Sequence, residues 1–256
     1  MLSKQPRAKI DRVQKSNLIR NIGYLWFALT AILLVIGFRQ ALFVAPTEAT
    51  MGPVQRIFYY HVPSAIAALL FPYVNLVGSI GFLVVRRRSA DLAAAFDAVA
   101  LAAAEVTVLF TTIGLITGML WAKPAWGIWW AWDERLTTFL LLWLLYVSYL
   151  AVRRYSSTGQ THTLAAVISI FAAVDVPIVY MSIRWWRTQH PSPVFFGGPD
   201  SGIDPSMRVA FLWNLAAWLM WGIFLIFARF WLERRRQNAA TIAINQAIAF
   251  QQGPPS

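Results

Sequence analysis

The chain has no cysteine. Disulfide bonds, thiolate ligation of a metal and thioether attachment of a prosthetic group to this chain are therefore excluded. Charge is scarce as well. Only 13% of the 256 residues are Asp, Glu, Lys or Arg, against 58% hydrophobic ones, which excludes an ordinary soluble domain and points to one integral membrane domain. No GxxxxGK[ST] phosphate loop occurs, so ATP hydrolysis by that route is excluded. There is no internal repeat and no low-complexity tract. The basic N-terminus is not followed by a small-residue cleavage site, and an uncleaved first helix is expected. The net charge of +11 is not read as a nucleic-acid signal, because membrane proteins concentrate Lys and Arg in cytoplasmic loops.

Apolar runs are abundant. Crossing a bilayer core takes roughly 20 apolar residues in a helix. Six segments qualify, at about 22–38, 64–85, 92–121, 136–152, 163–183 and 209–232. The expected fold class is thus an all-α integral membrane protein with six transmembrane helices. Fifteen Lys and Arg fall on one side: the N-terminal tail, Arg86 to Arg88, Arg153, Arg154, Arg229 and Arg234 to Arg236. Seven fall on the other: Arg39, Arg56, Lys123, Arg135, Arg184, Arg187 and Arg208. This asymmetry places both termini in the cytoplasm. The expected division is a cytoplasmic tail over 1–21, a membrane domain over 22–234 with an outer-face loop at 122–135, and a cytoplasmic tail over 235–256. From Gln237 onward that last tail carries no charge and reads as a short surface helix or disordered chain.

The loop reads AKPAWGIWWAWDER. Trp126, Trp129, Trp130 and Trp132 fall within seven residues and are followed by Asp133, Glu134 and Arg135. Indole favours the bilayer interface, so a few tryptophans there are anchors. Four together, with Lys123 before and Arg135 after, form an aromatic surface flanked by cations. Such a surface suits a large planar ligand bearing acidic groups.

Histidine occurs three times. His162, in the short cytoplasmic connector YSSTGQTHT, reads as a solvated loop residue. His61, in FYYHVPSA just before the second span, and His190, in RWWRTQHPSP just after the fifth, lie on the same face as the tryptophans. Either alone would be an interfacial hydrogen-bonding residue. Together, beside an aromatic loop, they become candidate axial ligands to a haem iron. Pro63 and Pro191 would stiffen the segments presenting them. Arg184 and Arg187 bracket Trp185 and Trp186, repeating the aromatic-plus-cation composition. Arginine binds carboxylates bidentately, so haem propionates and lipid phosphates are both possible partners. Asp97 and Glu105 in the third span and Asp175 in the fifth are ionisable groups at membrane depth. Each is either functional or hydrogen-bonded to a neighbouring helix.

The segment WGIWWAWDERLTT closely resembles the signature loop of the WWD-domain haem-handling family. FYYHVPSA and MSIRWWRTQHPSP resemble its two histidine segments. The size, six spans and two outer histidines are similar to the CcmC branch, concerned with haem delivery in cytochrome c maturation. The resemblance runs from about Ile22 to Arg234. The chain departs from the pattern at Ile128, Ala131 and Glu134, the last adding an anion beside the expected ligand site.

The resemblance implies a non-enzymatic protein of the bacterial inner membrane that holds haem b non-covalently and transiently on the periplasmic face. His61 and His190 would be axial ligands and the four loop tryptophans a platform. Asp133, Arg135, Arg184 and Arg187 would contact propionates or organise the loop. It also implies partners: a CcmE-type haem chaperone, the ABC transporter subunits CcmA and CcmB, and the small membrane protein CcmD. A haem-conducting transporter subunit and a b-type electron carrier are the alternatives. The first would need a polar path through the bundle, and the second usually places its ligands within helices.

Overall fold

The computed structural model describes residues 4–156, 158–196 and 202–252. Six long helices follow one another: α1 (Lys4–Arg39), α2 (Phe58–Val85), α3 (Ala90–Trp126), α4 (Glu134–Tyr155), α5 (Thr161–Trp185) and α6 (Pro205–Gln252). Each is long and apolar enough to cross a membrane, as the sequence predicts. A π-helical turn, Gln40–Val44, ends α1, and a 3-10 turn, Pro53–Ile57, leads into α2. The His61, Trp130 and His190 segments gather at one end of the bundle, here the histidine end. Arg86 to Arg88, Arg153 and Arg234 mark the opposite, basic end.

Helix α3 is the central element. Its alanine-rich first half, ADLAAAFDAVALAAAE, buries Ala98, Ala100, Ala102, Ala103 and Ala104. Side chains this small let neighbouring backbones approach closely, which is how helices associate when lipid removes the hydrophobic drive between them. Helix α2 packs along α3, with α4 and α5 completing a four-helix core. Asn75 of α2 ties that core together. Its amide donates to the Ala100 carbonyl (2.7 Å), and its Oδ1 accepts from Tyr146 of α4 and Ser169 of α5. Every member of this buried knot is satisfied, so it fixes helix rotation without leaving an orphaned polar group.

Helix α6 lies against α2 and α3, and α1 lies against α6. Asn214 of α6 donates to the Gly37 carbonyl of α1 (2.9 Å), and Trp26 and Phe27 interleave with Phe224 and Phe227. Among the described residues helix α5 packs on α4 and α2 and has little contact with α6, and α2 keeps an exposed apolar face through Tyr73, Val77, Ile80 and Val84.

Several boundaries differ from the sequence reading. Helix α2 already includes His61, because Pro63 forfeits only the bond to the Tyr59 carbonyl and membrane helices tolerate such losses. Helix α3 continues through Pro124 to Trp126 and is stopped by Gly127 at φ 78°, a left-handed cap whose N–H returns to the Lys123 carbonyl. The interhelical loop is therefore only 127–133. Helix α6 runs unbroken through the uncharged tail to Gln252. His162 is not a loop residue: it stands in the first turn of α5 and meets Asp97 at 2.9 Å.

Candidate functional site

The two histidines come from different elements and meet. His61 projects from the first turns of α2, and His190 from the extended segment after α5. Their ring centres are 6.4 Å apart with planes inclined at 40°. Each ring is oriented by a partner that also fixes its tautomer. The Thr117 hydroxyl on α3 donates to the Ile113 carbonyl (2.6 Å), so its oxygen is free to accept from His61 Nδ1 at 3.0 Å. His190 Nδ1 lies 2.8 Å from the Pro191 carbonyl, which can only accept. Both rings thus carry their proton on Nδ1 and keep the Nε2 lone pair available, the arrangement that a metal-binding imidazole needs. Gly118 makes room for His61: a Cβ there would stand 3.1 Å from the ring's Cε1.

Asp133 positions His190 from across the bundle. As N-cap of α4, its Oδ1 accepts from the Leu136 N–H (2.8 Å). Its Oδ2 accepts from the Thr188 hydroxyl (2.6 Å) and the Gln189 N–H (3.3 Å), and the His190 N–H in turn donates to the Thr188 oxygen (3.1 Å). Further along, the Tyr180 hydroxyl donates to the Phe195 carbonyl (2.7 Å) and pins the same segment to α5. Burial, with the Arg135 guanidinium and the His61 ring close by, pushes the His190 pKa down to about 3. The imidazole is therefore neutral at any physiological pH.

Arg135, the second residue of α4, lies beside both histidines. Its recorded partner is the Val179 carbonyl of α5, and among the described residues no carboxylate lies within ion-pair distance. A part-buried guanidinium has five donors, and one neutral acceptor leaves most of them unused. The indole Nε1–H of Trp130 is likewise buried without a partner. Both residues line the smaller cavity, and a buried donor such as the Trp130 indole N–H is costly unless an acceptor arrives.

Two cavities adjoin the histidine pair. The smaller, ≈ 520 Å³, lies under the tryptophan loop and is walled by Trp121, Trp126, Trp130, Met119, Leu136 and Phe139. The larger, ≈ 1190 Å³, opens on the α5 and α6 side between Phe58, Val62, Ile66, Ile183 and Met207. His61, Ala65, Trp121, Arg135 and His190 line both, so the imidazoles and the guanidinium stand on the partition. The arrangement offers two neutral nitrogen ligands, one cation lacking an anionic partner and flat aromatic walls. That combination fits a planar metal chelate bearing carboxylates.

The structure brings together His61, His190, Trp126, Trp130, Asp133 and Arg135. Trp129 and Trp132 belong to the same loop but point outward, 54% and 78% exposed. Arg184 and Arg187 are exposed and line neither cavity, and Arg184 sits over the Tyr180 ring at 5.3 Å. Sequence reasoning missed Thr117, Gly118, Trp121 and Thr188. Thr188 had a local signal, since a Thr two residues before a histidine can bond its N–H. Thr117 and Gly118 have none without knowing that α3 faces α2.

Comparison with known proteins bears on this geometry. The family described as "Heme exporter protein C" matches residues 11–245. "Heme exporter protein C" of Bradyrhizobium diazoefficiens is 34% identical over 222 residues, covering 86% of this chain and 81% of that protein. The protein of the same name from Escherichia coli K12 is 33% identical over 198 residues, covering 76% and 77%. A ccmC-like mitochondrial protein of cytochrome c biosynthesis from Marchantia polymorpha is 32% identical over 206 residues, covering 80% and 83%.

Proposed function

The chain belongs to the heme exporter protein C family, and from that premise we propose that it binds haem between His61 and His190 at the periplasmic face of the inner membrane and passes it to a membrane-anchored chaperone. The observation that carries this reading is the histidine pair itself. Two imidazoles holding one metal ion from opposite sides, at about 2 Å per bond, have their ring centres roughly 6 Å apart. The observed 6.4 Å is of that size, and among the described residues neither Nε2 atom has a hydrogen-bond partner.

Haem is the cargo here, not a resident cofactor, and the residues have separate tasks towards it. His61 and His190 close both axial positions, which keeps the iron six-coordinate and unreactive until transfer. Arg135 supplies the counter-charge for a propionate, and the Trp130 indole N–H supplies a further donor. Trp126 and Trp130 face the ring, whereas the exposed Trp129 and Trp132 face the incoming chaperone. Asp133 is a positioning residue, since both its oxygens are spent on α4 and the His190 segment. Arg184 and Arg187, outside the cavities, meet propionates only beyond the mouth.

Delivery to a CcmE-type chaperone, with CcmA, CcmB and CcmD as assembly partners, is the arrangement this reading implies. A haem-conducting role finds less support. Asp97 and Glu105 are neutralised by Arg153 and Arg229, so of the three intramembrane acids only Asp175 keeps an oxygen without a partner.

The test is transfer. Haem-loaded protein in detergent, mixed with a soluble CcmE-type domain, should move haem onto that domain, seen as a band that stays with the chaperone after denaturing electrophoresis. Chaperone loading at an equal rate from free haem without this protein would contradict the proposal.

A further inference from the structure

The larger cavity does not end at the histidines. On α2, Val62, Ile66 and Leu69 line it, and the same helical face continues downward as Tyr73, Val77, Ile80 and Val84. These positions recur at three- and four-residue intervals and so form one stripe. The lower members are exposed by 42%, 64%, 45% and 62%, respectively. The opposite face of α2 is buried through Ala67, Ala68, Phe71, Asn75 and Gly78. Helices α5 and α6 both flank α2 with little contact between them, and Ile183 of α5 and Met207 of α6 line the larger cavity together with the upper end of the stripe. Ile66 and Leu69 stand roughly 7 and 12 Å below His61 along the axis, at 1.5 Å per residue. An exposed apolar stripe on α2 thus leads up to the cavity that both imidazoles line.

The cavity and the stripe below it are together amphipathic along their length. The upper end carries His61, His190, Arg135 and Glu48, together with Gln55, 7% exposed, whose Oε1 has no partner. The lower walls are aliphatic and aromatic. That polarity matches a flat, largely apolar molecule with acidic groups at one edge, travelling with that edge towards the membrane surface. An acyl chain would use the lower walls but not the two imidazoles and the guanidinium at the top.

We propose that haem reaches the histidine pair sideways, from the bilayer leaflet on the histidine side, through the opening between α5 and α6 along this face of α2. The larger cavity is the antechamber, and the tryptophan side is where haem leaves. This rests on the haem-binding reading above and adds to it a direction of travel.

The absence of cysteine makes the test clean. Ile66→Cys and Leu69→Cys chains, reconstituted full length in phosphatidylcholine vesicles, are compared before and after labelling with a bulky maleimide. Val35→Cys, on the lipid-facing side of α1 and 68% exposed, is the labelled control. Haem is supplied from donor vesicles of the same lipid, and the rise of the six-coordinate haem band is followed in time.

Labelling at position 66 or 69 should slow loading at least tenfold with the final spectrum unchanged, and labelling at position 35 should change it less than twofold. Equal loading rates before and after labelling at both positions would overturn the route. So would loss of the final spectrum on labelling, which would make the cavity the resting site and not a passage. Positions 66 and 69 blocked by a retained lipid or partner helix, with normal loading, would overturn it too. Failure of the unlabelled chains to show any histidine-dependent haem band would instead sink the binding reading, and the route with it.

Discussion

At the basic end of the bundle Asp97, 5% exposed, is gripped by both nitrogens of the Arg153 fork and touched by His162, while Arg229 holds Glu105 and Arg234 holds Asp91. At the histidine end, among the described residues, Arg135 has a lone carbonyl partner, Trp130 Nε1 and Gln55 Oε1 have none, and both imidazoles keep a free lone pair. One helix, α3, passes through both regions. Its acids near Ala90 meet bases on α4 and α6, which fastens the bundle together. Its Thr117 and Gly118, about three-quarters of the way along, instead position the His61 ring. Orphaned buried polar atoms also occur elsewhere, at Thr30 and Ser79, so the contrast lies in the charged and ligating groups: the acids at the basic end are paired, and the guanidinium and imidazoles at the histidine end are left to meet something.

The contrast can be broken from the basic end first. Arg153→Ala leaves a buried carboxylate with only His162, and breaking such a pair costs about 3–5 kcal/mol. The expected result is a marked drop in detergent thermal stability, with the surviving folded fraction still showing a normal haem spectrum. A stable Arg153→Ala protein that had lost its haem band would reverse the division of labour between the two ends.

At the histidine end the effects should fall on haem and spare stability. Thr117→Val removes the acceptor for His61 Nδ1–H while keeping the shape, and the loss of such an orienting partner costs about 10–100-fold in metal affinity. Haem titration checks this, and an unchanged affinity would show that His61 is oriented by something else. Asp133→Ala should release the His190 segment, shifting the spectrum from low to high spin at equal haem loading.

The pH response sharpens the comparison further. With His190 held at about 3, against 6.5 for an ordinary histidine, its ring stays neutral in haem-free protein as the medium is taken to pH 5. The sign follows from the depressed value: any stability linked to this ring is intact above pH 6.5 and is lost as the pH falls towards 3. Histidine NMR signals should show no His190 titration between pH 7 and 5, and a midpoint near 6.5 would show an open, solvated ring. The smallest effect belongs to Arg184→Gln, which should leave haem affinity within about twofold because that side chain reaches neither cavity.

Much of this was legible in the sequence. Six apolar runs of sufficient length gave six helices, and hydropathy alone carries that inference in a membrane. The clustering of His61, His190 and the tryptophan loop followed from alternating the runs across a bilayer. The boundaries were harder. The expected spans at 64–85 and 92–121 stop short of Pro63 and Pro124, yet both lie within helices, because packing on neighbouring helices outweighs the loss of one backbone bond. Pairings between distant residues were not legible at all. Nothing in the sequence relates Asp97 to His162, 65 positions later, or Thr117 to His61, 56 positions earlier. Such contacts depend on which faces of α2, α3 and α5 meet, and uniformly apolar helices carry little periodic signal to show it.

The central claim is that His61 and His190 hold one haem between them. The most direct measurement is the absorption spectrum of the detergent-purified protein beside those of His61→Ala and His190→Ala. A low-spin, six-coordinate haem band that weakens or turns high-spin in both variants is the predicted result. Full haem occupancy with an unchanged low-spin spectrum in both would contradict it.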